Sequence, residues 1–179
     1  MSPRAALDRL YDAAGYLAAF FVFAIFVVMI GQTVMRELSM RTGGTDDIVA
    51  WFCAASAFLA MAHTFKRGDF VRVSLLLEHV GPRARHVLEI ISLLVGALFT
   101  GYLTYSGGKY VIESWQFGDM ANGLIAIPIW IPQLSFLVGA SLFFVAVLDE
   151  LVIVLRGRKP TYVVAVEERH ARGDFTEDV

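Results

Sequence analysis

The chain has 179 residues, of which 57% are hydrophobic and 18% are charged, and its mean hydropathy is +0.62. Soluble domains are about 45–50% apolar and about 25% charged, so this chain has too few polar side chains to cover a water-soluble globule. The net charge of −2 gives no basic excess for binding nucleic acid, and the single cysteine, Cys53, excludes an intramolecular disulfide.

Four stretches without a charged residue are long enough to cross a bilayer as helices. A helix needs about 20 residues to span about 30 Å of hydrocarbon. We therefore predict an all-α integral membrane protein with four transmembrane helices at about 13–35, 48–65, 87–110 and 130–155. Residues 1–159 form a single domain in this prediction, and residues 160–179 form a tail that is mobile at its end.

The last uncharged stretch is longer than one span, so its helix needs a starting point. Gly123, Pro128 and Pro132 interrupt the first part of this stretch. Because proline is tolerated in the first turn of a helix but breaks its interior, we predict that the fourth helix starts near Trp130. Residues 114–129 are then expected to form an apolar loop on the membrane surface.

The positions of the basic residues predict the orientation of the chain. Of the fifteen lysines and arginines, only Arg36, Arg41 and Lys109 fall in the first and third loops. Because lysine and arginine are enriched in cytoplasmic loops, both termini are expected to face the cytoplasm.

Aromatic and basic residues are also expected to anchor the chain at the two interfaces. Indole rings favour the headgroup region, and arginines at the cytoplasmic face attract anionic lipids. The tryptophans predicted at the outer interface are Trp51, Trp115 and Trp130, and the arginines predicted at the inner interface are Arg67, Arg72, Arg83 and Arg85.

Two short amphipathic segments, at residues 3–15 and 70–80, are candidates for interfacial helices. In the first, Leu7, Leu10, Tyr11 and Ala14 share one helical face. The alternative is that residues 3–15 extend the first transmembrane helix and that residues 70–80 form a tight turn.

Small residues in the spans indicate close helix packing. Ser92, Gly96 and Thr100 recur at four-residue steps in the third span, and Ser135 and Gly139 do so in the fourth. Such spacing lets helix backbones approach each other in lipid. The alternative is that membrane helices are simply rich in alanine and glycine.

The chain carries no sequence signature of catalysis. It has no zinc-protease, nucleophile-elbow or P-loop motif, so we predict neither an enzyme nor a resident cofactor or metal. The middle of each span lacks ionisable residues, which argues against a carrier or channel working alone. A rival hypothesis is the membrane anchor of a respiratory oxidoreductase, with a haem held by His63 and His86.

Three sequence segments resemble the small membrane subunit of tripartite ATP-independent periplasmic (TRAP) transporters. They are TDDIVAWF at the start of the second span, FKRGDFVRVSLLL after it, and LIAIPIWIPQLSFLVGASL leading into the fourth; Arg36 after the first span also fits. The chain departs from the family pattern at Asp69, where a histidine is common, and at Ser74, where an acidic residue is common. Functions of those side chains are not carried over.

The resemblance implies a non-catalytic scaffold in the bacterial cytoplasmic membrane. Its expected partners are a large multispanning subunit, which would hold the sodium and substrate sites, and a periplasmic binding protein that delivers an organic acid such as a carboxylate. The residues expected to contact these partners are Arg36, Asp46, Asp47, Glu113 and Asp119. The alternative is that these are solvated loop charges, or acids favoured at a helix N-terminus.

Overall fold

A computed structural model describes residues 3–40, 42–69 and 81–172, and within these ranges it describes the side chains from residue 6 onward except those of 82, 83 and 170. This part of the chain is helical and contains no β-strand. Four of its helices are long and apolar enough to cross a membrane, which confirms the predicted fold class. The helices are α1 (Pro3–Glu37), α2 (Thr45–Arg67), α3 (Pro82–Phe117), α4 (Trp130–Leu155) and a shorter α5 (Thr161–Ala171).

The four long helices pack side by side in the order α1, α2, α4, α3. The middle of this layer is therefore formed by α2 and α4, whereas α1 and α3 lie at its edges. Each edge helix leaves one apolar face uncovered. The large exposed side chains include Phe20, Phe23 and Phe26 on α1, and Leu98, Phe99 and Tyr102 on α3.

The layer has two chemically different ends. The loop end carries residues 38–40 and 42–44, between α1 and α2, and the connection 118–129. The terminal end carries the starts of α1 and α3, the ends of α2 and α4, and α5, as shown by the contacts of Asp12 with His63 and of Lys66 with Asp149. Both described ends of the chain therefore lie at the same end of the layer.

Helix α1 is longer than its predicted span because residues 3–15 continue it without a break. Of the two alternatives for this segment, the structure shows the extension of the first helix and not a separate interfacial helix. Tyr11 and Ala14 are buried against α2 and α4, so this part of the predicted apolar face packs on protein, whereas Leu10 is exposed. Residues 70–80, the other predicted interfacial segment, lie outside the described residues.

Glycines set both ends of α2. Gly44 precedes the helix with a φ of 85°, and Gly68 follows it with a φ of 80°, a conformation that costs glycine little. Asp46 and Asp47 lie in the first turn, and Lys66 and Arg67 lie in the last, so the charges complement the helix dipole at both ends.

Helix α3 is longer than predicted, whereas α4 starts at the predicted residue. Helix α3 extends from Pro82 to Phe117, beyond the predicted 87–110, so the expected loop at 114–129 starts only at residue 118. No proline or glycine interrupts residues 109–117, and the helix continues until Gly118 caps it with a φ of 65°. Helix α4 starts at Trp130, as predicted from Pro132 in its first turn.

Glycine allows the closest contacts between the long helices. A Cβ atom at Gly139 of α4 would lie 2.5 Å from the backbone carbon and oxygen of Phe58 on α2, and one at Gly107 of α3 would lie 2.6 Å from the Phe136 ring of α4. Gly139 is one of the small residues that the sequence predicts to serve packing, whereas Gly107 is not. Ser92 departs from this prediction, because its side chain is exposed and bonds only the preceding turn of α3.

The predicted tail contains a helix that sequence analysis did not identify. Helix α5 lies against the end of α2, where Tyr162 is 3% exposed and its ring lies 5.8 Å from that of Phe65. Within the TYVVAV stretch, Tyr162 is buried and Val166 is partly buried, whereas Val164 is exposed, so one face of this short helix packs on α2. The predicted mobile end of the tail falls at residues 173–179, outside the described residues.

Candidate functional site

The 118–129 connection folds back on itself at the loop end. The Ile129 amide donates to the Asp119 carbonyl at 3.0 Å, and the Ala121 amide donates to the Ile127 carbonyl at 2.8 Å. These hydrogen bonds satisfy backbone groups of a segment that has no regular helix or sheet. The connection is therefore an ordered surface element and not a loose link between α3 and α4.

The same connection covers the turn between α1 and α2. Its Leu124 side chain lies over Gly43, where an added Cβ would come within 3.1 Å of Cδ1. Its Ile125 side chain lies so close to Gly44 that any Cβ there would collide with it. The 118–129 connection thus joins the α3–α4 half of the layer to the α1–α2 half, and the tight contact at Ile125 requires a glycine at position 44.

Asp46 and Asp47, which the sequence predicts to be contact residues, have different surroundings. Asp46 is exposed and accepts a hydrogen bond from the Gln32 amide of α1 at 3.0 Å. Asp47 is half-buried, and its carboxylate lies against Gly123 at a distance that leaves no room for a Cβ. Asp46 therefore links α2 to α1, whereas Asp47 lies against the 118–129 connection.

Three other predicted contact residues lie on the exposed surface of the loop end. Arg36 is in the last turn of α1, Glu113 is near the end of α3, and Asp119 follows the α3 cap. Within residues 3–40, 42–69 and 81–172, none of these side chains forms a hydrogen bond or an ion pair. Their charges are available for a partner, but the structure does not bring all five predicted residues into one cluster.

The predicted tryptophans all lie at the loop end. Trp51 is in the second turn of α2 and Trp130 begins α4, and both are partly buried. Trp115, in the last turn of α3, is 66% exposed. The three indoles thus lie on three different helices at the same end of the layer, and their place in an aromatic belt stays a prediction.

The predicted arginine anchors lie at the terminal end where the structure describes them. The Arg67 guanidinium is 4.0 Å from the Asp12 carboxylate, and the Arg67 carbonyl accepts a hydrogen bond from Arg169 of α5. Arg85 is exposed in the first turn of α3. Arg72 and the side chain of Arg83 lie outside the described part of the chain.

A buried ionic cluster that was not predicted from the sequence lies at the terminal end. The Glu150 side chain has no exposed surface, and its carboxylate accepts hydrogen bonds from Lys66 Nζ at 2.8 Å and from the Thr161 amide at 2.9 Å. The Thr161 hydroxyl also donates to this carboxylate, and Lys66 pairs with Asp149 as well. A signal was present in the sequence, because Lys66 follows the second predicted span and Glu150 lies near the end of the fourth, so opposite charges fall at the same predicted end of both.

The two histidines proposed as haem ligands face different neighbours. His63 Nδ1 lies 3.3 Å from the Asp12 carboxylate, and the His63 ring packs against Gly15 of α1. His86 lies on α3, at the opposite edge of the layer, and lines a cavity with Arg158. The described side chains therefore do not place these imidazoles as a facing pair.

These features define the class of the protein. It is a multipass membrane protein of packed apolar helices, with an ordered connection at one end and ion-paired side chains at the other. Residues 25–157 match the family model of tripartite ATP-independent periplasmic transporters, DctQ component. Because the match covers most of the chain, this chain belongs to that family and is the small membrane component of such a transporter.

The family assignment confirms the resemblance seen in the sequence and favours it over the respiratory anchor. It also implies the two other components of a tripartite transporter, a large membrane subunit and a binding protein. A search of curated proteins gives no match to this chain. The matched region ends just before α5, so α5 lies beyond the part of the chain that carries the family resemblance.

Proposed function

We propose that this subunit is a non-catalytic scaffold that braces the large transport subunit and helps to dock the binding protein. The transporter is secondary-active and coupled to sodium, and its substrate is an organic acid. The resemblance of the chain to its family supports these assignments. We further propose that the subunit resides in the bacterial cytoplasmic membrane with both termini in the cytoplasm.

The observation that carries the scaffold role is the position of the charges. Every ion pair among the described residues lies at the terminal end, and the exposed acids of the 118–129 connection and nearby turns lie at the loop end. Between these ends, the polar side chains are mostly hydroxyls that bond their own helix, such as Thr100 to the Gly96 carbonyl at 2.7 Å. A sodium or carboxylate site needs ligands that this middle region does not offer.

The uncovered faces of the edge helices support a bracing role. Phe20, Phe23 and Phe26 of α1 are each at least 60% exposed, so a partner helix could bury large aromatic side chains there. In lipid, close packing of such side chains stabilises helix association more than burial from water does. We propose that the large subunit packs along an edge of the layer, while the opposite edge faces lipid.

The exposed charges of the loop end support a docking role. Glu113 and Asp119 are exposed acids with no partner in the described ranges, and Asp46 is exposed on α2 at the same end of the layer. An acidic surface attracts a partner with a basic patch and raises its rate of association. We propose that the binding protein, the large subunit or both contact this surface through Arg36 and these acids.

Charge reversal at the loop end tests the docking role. One variant carries Asp46→Lys and Asp47→Lys, and a second carries Glu113→Lys and Asp119→Lys. The second pair is the sharper test, because Asp47 is packed against Gly123 and its reversal also disturbs the fold. Uptake by vesicles containing the whole transporter is measured against the concentration of the binding protein.

We expect both variants to remain in the membrane and to copurify with the large subunit. Because rim charges act mainly on association, more binding protein should be needed for half-maximal uptake. The matched control is Glu168→Lys, which reverses an exposed acid on α5 at the terminal end. Normal uptake by the Glu113 and Asp119 variant would refute this docking surface.

A further inference from the structure

A cavity of about 280 Å³ opens at the terminal end, between the first turns of α3 and the linker that joins α4 to α5. Four basic side chains line it, and Pro160 and Val163 provide apolar surface. Neither the proposed scaffold role nor the predicted partner contacts uses this cavity. Its basic lining residues are Arg85, His86, Arg158 and Lys159.

The linker that forms one wall is held in place by its neighbours. Gly157 ends α4 with a φ of 71°, and the Arg158 amide donates to the Ile153 carbonyl at 3.2 Å. Pro160 is buried, and the amide of the next residue, Thr161, donates to the buried Glu150 carboxylate. The cavity is therefore built by fixed backbone and does not require a loop to close.

Two guanidinium groups in the cavity are available to bind a ligand. Lys159 already pairs with Glu167, with Nζ 2.7 Å from Oε1. Neither Arg85 nor Arg158 forms a side-chain hydrogen bond or ion pair with any residue in the described ranges. Glu89 is the remaining carboxylate in the lining, so the arginines, the lysine and the two glutamates of the lining give a net charge of about +1.

The net positive charge of the cavity complements a phosphodiester, which carries one negative charge. Guanidinium groups bind phosphate oxygens through paired, charge-assisted hydrogen bonds, and Glu89 can accept a hydrogen bond from a headgroup hydroxyl. We propose that this cavity binds the headgroup of a singly anionic phospholipid, with Arg85 and Arg158 on its phosphate.

The surroundings of the cavity favour a lipid as the source of the phosphate. Val87 follows His86 on α3 and Leu155 is the last residue of α4 before the linker, and these apolar side chains are 54% and 61% exposed. The cavity thus lies where the apolar helix surface meets the charged end, which is the depth of lipid headgroups. Acyl chains can follow these side chains while the phosphate stays among the arginines.

Native mass spectrometry of the purified full chain in detergent tests the site. The probe is phosphatidylglycerol, and phosphatidylethanolamine and inorganic phosphate are comparison ligands. The test variant is Arg85→Gln with Arg158→Gln. The matched control is Arg9→Gln with Arg156→Gln, which removes the same charge from exposed positions outside the cavity.

We expect the wild type and the control to bind phosphatidylglycerol equally, and the test variant to bind it about tenfold or more weakly. Size-exclusion chromatography checks that all three proteins keep the same folded state. Equal binding by the test variant and the control would overturn the proposal. Displacement of the lipid by millimolar phosphate, or equal binding of phosphatidylethanolamine, would overturn the assignment to an anionic lipid.

Discussion

Lys66 of α2 and Glu150 of α4 form an ion pair in which Nζ lies 2.8 Å from Oε1 and the Glu150 side chain is fully buried. The pair joins the two central helices at the terminal end. Because the same carboxylate accepts hydrogen bonds from Thr161, it also fixes the start of α5. One buried carboxylate therefore connects three helices.

Replacing Lys66 with methionine is expected to destabilise the protein strongly. The substitution keeps the volume of the side chain but leaves the buried Glu150 carboxylate without its cation. Removal of one partner from a buried ion pair costs about 3–5 kcal/mol. The midpoint of thermal unfolding of the purified protein in detergent measures this loss.

Lys159 provides the matched control, because it pairs with Glu167 on the surface and is 65% exposed. An exposed pair contributes about 0–1 kcal/mol, so Lys159→Met should leave the unfolding midpoint nearly unchanged. Similar midpoints for the two methionine variants would show that the Glu150 cluster does not stabilise the terminal end.

The stability of the protein is expected to be unusually sensitive to one added methyl group at the crossing of α2 and α4. Gly139→Ala places a Cβ 2.5 Å from the Phe58 backbone, which can move only if the helices separate. Overpacking of this kind costs about 1–3 kcal/mol. Gly108→Ala is the matched control, since its Cβ would lie 3.9 Å from Leu137. We expect a lower unfolding midpoint for Gly139→Ala only; the reverse order would contradict the crossing geometry.

Asp47 and Gly123 are expected to be energetically coupled. Gly123→Ala should push the Asp47 carboxylate out of its position and loosen the 118–129 connection. Asp47→Ala removes the obstacle, so the double variant should be more stable than the sum of the two single effects predicts. Unfolding midpoints of the four proteins give this comparison, and strict additivity would show that the two residues do not interact.

Local signals predicted the helices better than the contacts between them. The start of α4 at Trp130 follows from Pro132, and the spans follow from the charge-free stretches, because each depends on residues close in sequence. The pairing of Lys66 with Glu150 joins positions far apart in the chain, so it depends on which helices become neighbours. For the same reason, the sequence suggested Asp46 and Asp47 as equivalent residues, whereas their packing distinguishes them.

The positions of the chain ends predict a labelling pattern that tests the proposed orientation. In a Cys53→Ala background, single cysteines replace Leu124 at the loop end and Glu168 at the terminal end, both of which are exposed. If both termini face the cytoplasm, a membrane-impermeant maleimide should label Leu124→Cys in intact spheroplasts. Glu168→Cys should react only after the membrane is permeabilised.

A third cysteine, replacing Ala6, separates the fold from the orientation. Because α1 starts at the same end of the layer as α5, Ala6→Cys should always behave like Glu168→Cys. Labelling of these two from outside, with Leu124→Cys protected, would reverse the proposed orientation but keep the fold. Labelling of Ala6→Cys and Glu168→Cys from opposite sides would contradict the layer itself. Tyr11 lies in one buried cluster with Ala62 of α2, and the Tyr162 ring lies against Phe65 of α2, so both segments lie beside the end of α2.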